Sequence, residues 1–78
     1  MREVQKAITS ADVIITEIAV RNAKIKSTRE AIESYKERGI TNHFDLDSDI
    51  KTFEREKTFL KSELLKCAGV IINNVDKL

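Results

Sequence analysis

The chain has 78 residues, 14 of them Lys or Arg and 13 Asp or Glu, for a formal net charge of +1. That near-balance removes a broad electrostatic drive toward nucleic acid. No apolar run approaches the roughly 18 residues that a membrane-spanning helix needs.

Hydrophobic residues make up 41% of the chain and proline is absent. With apolar positions in regular period, this composition points to a folded all-α domain rather than a disordered polyelectrolyte. A domain this small has a limited core and usually needs a staple or a partner. Cys67 is the single cysteine, so no internal disulfide supplies the staple. A lone thiol on an apolar stripe reads as a small core residue and suits a reducing, cytoplasmic setting. Met1, Arg2 and Glu3 lead into a segment carrying Asp12 and Glu17, which is not a secretory leader.

The first predicted element is a helix from about Arg2 to Arg38. Its stripe is Val4, Ala7, Ala11, Ile14, Ile18, Arg21, Ile25, Thr28, Ile32, Tyr35. Alternating steps of three and four make this the seam of a coiled coil. Gly39 is placed to take the left-handed C′ conformation, with Ile40 packing back on Tyr35 in a Schellman cap. Lys36 and Arg38 put positive charge near the negative end of the helix dipole.

A connection from about Gly39 to Leu46 follows, and a second helix is predicted from about Asp47 to Val75. Asp45, Asp47 and Ser48 are each an acceptable N-cap. Its stripe is Ile50, Phe53, Lys57, Leu60, Leu64, Cys67, Ile71, Asn74, Leu78. A short connection between two long helices makes an antiparallel αα-hairpin. That loop length sets an expected register: Tyr35 opposite Ile50, Ile32 opposite Phe53, Ile25 opposite Leu60, Ile18 opposite Cys67, Ile14 opposite Ile71, and Ala7 opposite Leu78. The same register sets Thr28 against Lys57, Arg21 against Leu64 and Ala11 against Asn74.

The stripes do not use all the apolar side chains. A second row on helix 1 reads Val13, Thr16, Val20, Ala23, Ser27, and Ile8 and Ile15 widen its seam. A second row on helix 2 reads Phe59, Ser62, Leu65, Gly69, Ile72. A monomer would expose these near the chain ends, which soluble monomers rarely do. Two hairpins closing into a four-helix bundle would cover them. Ile8, Ile14, Ile15, Ile18, Leu64, Leu65, Ile71 and Ile72 are therefore the expected assembly residues. Arg21, Lys57 and Asn74 interrupt the seams, where polar residues can fix register and partner number.

Candidate chemistry is sparse. Asp45, Asp47, Asp49 and Glu56 have calcium-loop spacing, but Ile50 stands where that turn needs Gly, and the segment reads as helix. His43 is the single histidine and has no nucleophile partner in the sequence; Asp45 is its nearest candidate for orientation. No zinc spacing, phosphate-binding glycine loop or nucleophile elbow occurs. The sequence thus predicts no catalytic residue, no metal site and no cofactor. Phe44, in the predicted loop, is a candidate anchor for a partner protein. Arg21, Lys24, Lys26 and Arg29 form a basic run that could contact phosphates.

The expected function is a noncatalytic protein–protein interaction module (adaptor, inhibitor or assembly factor) that works as a homodimer or higher oligomer. A nucleic-acid-binding dimeric regulator and a structural subunit of a larger helical assembly are the alternatives.

Overall fold

Two helices account for nearly all of the chain. The computed structural model describes residues 2–77. Helix α1 spans Arg2–Glu37 and helix α2 spans Phe44–Asn74, followed by a 3₁₀ turn over Val75–Lys77. They pack against each other as an antiparallel hairpin measuring 60 × 14 × 13 Å.

The heptad stripes are the seam. Val4, Ala7, Ile25 and Ile32 are buried on α1, and Ala11, Ile14, Ile18, Thr28 and Tyr35 are half-buried. On α2, Ile50, Phe53, Leu60, Leu64, Cys67 and Ile71 are half-buried. No α2 residue is fully buried, as expected where one helix covers only one stripe of the other.

The turn closes α1 as its sequence predicts. Gly39 has φ 74, a left-handed conformation that glycine adopts without Cβ strain. The Ile40 amide donates to the Tyr35 carbonyl at 2.8 Å and the Gly39 amide to the Lys36 carbonyl at 3.0 Å. These are the two bonds of a Schellman motif.

The second helix departs from expectation. It starts at Phe44, not near Asp47, and His43 stands at the N-cap without a side-chain cap bond. The Asp47 amide donates to the His43 carbonyl at 3.1 Å, so the backbone ladder is already running there. Asp45 and Asp47 fall in the first turn, where their charge favours the helix dipole. They act from inside the helix rather than as its cap. Phe44 is accordingly not a loop residue. It occupies the first helical position and is 75% exposed.

The extra turn changes the register by one heptad. The Arg21 guanidinium meets Glu56 on α2 at 3.2 Å, and Lys24 lies 5.6 Å from the Phe53 ring centre. These contacts place Arg21 level with Lys57 rather than Leu64, and Ala11 level with Cys67 rather than Asn74. Val4 decides the point: it is 2% exposed, yet the expected register would carry it beyond the end of α2. The seam instead extends to Leu46 and His43, both half-buried. Leu78, the expected partner of Ala7, lies outside the described residues.

Candidate interaction surface

The side chains flanking the seam define two different sides of the hairpin. Arg29 on α1 and Glu54 on α2 approach to 3.6 Å, so they flank the same side. Heptad steps from Arg29 lead to Ile15 and Ile8, and from Glu54 to Ala68 and Val75. Leu65 and Ile72 lie three residues before Ala68 and Val75, and so share their side of α2. Ile8, Ile15, Leu65, Ile72 and Val75 are 41, 53, 74, 69 and 48% exposed. They form an apolar face restricted to the half of the hairpin that holds the chain ends.

Toward the turn the same side becomes polar and charged, through Asn22, Lys26 and Arg29 on α1 and Lys61 and Glu54 on α2. A groove of about 460 Å³ there is lined by Ile25, Arg29, Glu33, Glu54 and Lys57 among others.

The opposite side is mixed. Val13, Ile14, Phe59, Leu60, Glu63 and Cys67 line a groove of about 540 Å³. Val13 and Phe59 are 57 and 63% exposed. Glu63 and Lys66 pair at 3.1 Å beside them. Midway along the hairpin, Arg21 bridges Glu17 on its own helix and Glu56 on the other. The Glu17 carboxylate raises the Arg21 pKa above its ordinary value, with Glu56 adding to the effect, against partial desolvation that lowers it.

The residues expected to drive assembly therefore separate into two groups. Ile8, Ile15, Leu65 and Ile72 lie on the exposed apolar face. Ile14, Ile18, Leu64 and Ile71 lie in the seam and hold the hairpin itself together. The second rows also divide: Val13, Val20 and Phe59 belong to the mixed side, away from Leu65 and Ile72.

The basic run is largely engaged within the chain. Arg21 and Arg29 pair with carboxylates, and Lys24 sits over the Phe53 ring. Lys57, another seam residue, lies 3.9 Å from Glu54. Asn74 donates its side-chain amide to the Val70 carbonyl at 2.7 Å.

His43 pairs through Nδ1 with Asp47 Oδ2 at 2.8 Å. Sequence proximity suggests Asp45 for this role. The i, i+4 spacing within a helix that begins at Phe44 selects Asp47 instead. About 36 Å of helix separates His43 from Cys67, which keeps the thiol and the imidazole apart. Asp45, Asp47, Asp49 and Glu56 all lie within α2 and cannot wrap one cation. Among the described residues, no group of three or more His, Cys, Asp or Glu is arranged to hold a metal ion. No helix of the described residues is long and apolar enough to cross a membrane.

No protein-family model, curated protein or solved structure matches this chain. A helical hairpin serves many functions, so its shape alone assigns none.

Proposed function

We propose that this chain is a noncatalytic protein–protein interaction module, an adaptor, inhibitor or assembly factor that works as a homo-oligomer. One observation carries the reading: the seam leaves an apolar face of Ile8, Ile15, Leu65, Ile72 and Val75 exposed along one half of the hairpin. Burying such a face against a second copy in a four-helix bundle removes it from water. The turn half, with Phe44 and Ile40 exposed at its tip, then projects as the part that meets a different protein.

The surface area supports association. The chain exposes 5913 Å², whereas a compact monomer of 8.9 kDa exposes roughly 4,800 Å². The excess, roughly 1,100 Å², is more than the roughly 800 Å² per partner buried in a standard interface. The nucleic-acid reading has less support, because Arg21 and Arg29 are paired with acidic side chains and Lys24 with an aromatic ring.

Light scattering behind size-exclusion chromatography tests the proposal. The expected result at micromolar concentration is twice the chain mass or more, falling to one chain mass in Leu65→Ser/Ile72→Ser. A monomeric mass for the unaltered protein refutes it.

A further inference from the structure

The apolar face constrains how a second copy would sit on it. We propose that two hairpins join antiparallel and staggered, overlapping along their terminal halves with the two turn tips at opposite ends of a rod. This rests on the self-association proposed above.

The apolar residues are spaced to meet their own copies. Ile8 and Ile15 stand two turns apart on α1, and Leu65 and Ile72 stand two turns apart on α2. In the observed register the midpoints of these pairs lie within about 3 Å of each other along the hairpin. A two-fold axis crossing the face at that level sets Ile8 against Ile15 of the second copy and, at the same time, Leu65 against Ile72. A self-complementary patch of this kind is what a closed dimer requires.

The backbone at that axis is open to close approach. Gly69 lies midway between Leu65 and Ile72, and a Cβ built there meets nothing within 4 Å. The glycine is not required by packing inside the hairpin. Beside Ala68, it leaves open space in which the second copy's helix approaches closely.

Charge also favours the stagger. A parallel pairing of straight hairpins would lay the whole length of one against the other. It would bring Lys26, Arg29, Lys51 and Glu54 into the interface, with the desolvation that this imposes. The staggered arrangement leaves these groups in water and covers the apolar half alone.

One acidic residue lies within the face. Asp12 sits between Ile8 and Ile15 and is exposed. Across the two-fold it comes near its own counterpart, so neutralising it strengthens this dimer.

Small-angle X-ray scattering of the full chain, with the mass measured on the same sample, tests the arrangement. The staggered dimer has a maximum dimension of about 90 Å at 1.5 Å per residue, against the 60 Å length of one hairpin, which a parallel dimer would retain. A dimeric mass with the long dimension supports the inference. A dimeric mass with the short dimension overturns it and leaves self-association standing. A monomeric mass overturns both. Asp12→Asn should tighten the dimer by about threefold or more in sedimentation equilibrium, a gain of the size that a like-charge contact costs; unchanged or weaker association counts against the two-fold placement.

Discussion

Arg21 shows how a charged side chain occupies a seam position. Its stem packs between the helices while its guanidinium reaches Glu17 and Glu56 at the edge, the arrangement expected of a long amphipathic side chain. Because Glu56 belongs to the other helix, the contact favours one register over its neighbours. The sequence marks Arg21 as a break in the stripe, but Glu56 becomes its partner only once the register is known. Gly69 poses the complementary question, since its absent side chain has no role inside the hairpin. Gly69→Ala should stabilise the isolated hairpin by about 1 kcal/mol through helix propensity. In urea titrations at a concentration where the protein is monomeric, the midpoint should rise. Where the dimer forms, the added methyl should erase that gain by crowding the facing helix. A gain of the same size at all concentrations would show that nothing approaches Gly69.

At the scale of the elements, helix identity, seam composition and the α1 cap are all legible in the residues. The step pattern names the buried side of each helix, and Gly39 followed by Ile40 names the Schellman turn. Register is less legible for a physical reason: a heptad stripe shifted by seven residues superimposes on itself. The choice then depends on where α2 begins. The acceptable caps Asp45, Asp47 and Ser48 suggest a late start, whereas the backbone enters the helix at Phe44 without any side-chain cap. Caps contribute on the order of 1 kcal/mol, which the additional seam contacts of His43 and Leu46 can offset. The observed register makes Ala11 level with Cys67, whereas the expected one sets Ile18 there. Ala11→Cys should therefore form an intrachain disulfide with Cys67 under mild oxidation, seen as a loss of two free thiols and faster migration without reductant. Ile18→Cys should not. The reverse outcome would restore the expected register.

For the molecule as a whole, the division between a charged turn half and an apolar terminal half is visible in the sequence. Which apolar residues share a side is not, because that depends on pairing between helices. The Arg29–Glu54 pair joins Ile8 and Ile15 to Leu65 and Ile72 and leaves Val13 and Phe59 on the other side. A hairpin with four buried hydrophobic residues among those described has little core of its own, so association and stability should be linked. Thermal unfolding of the unaltered protein should move to higher temperature as concentration rises, each tenfold increase favouring the folded dimer by about 1.4 kcal/mol. Ile15→Ser should abolish most of that dependence, because Ile15 is half-exposed in one hairpin and buried in the proposed pair. Val13→Ser, a substitution on the mixed side with similar exposure, should retain it. Circular dichroism melts across two decades of concentration separate the cases: concentration-independent melting of the unaltered chain would mean that the terminal face is not covered by a second copy.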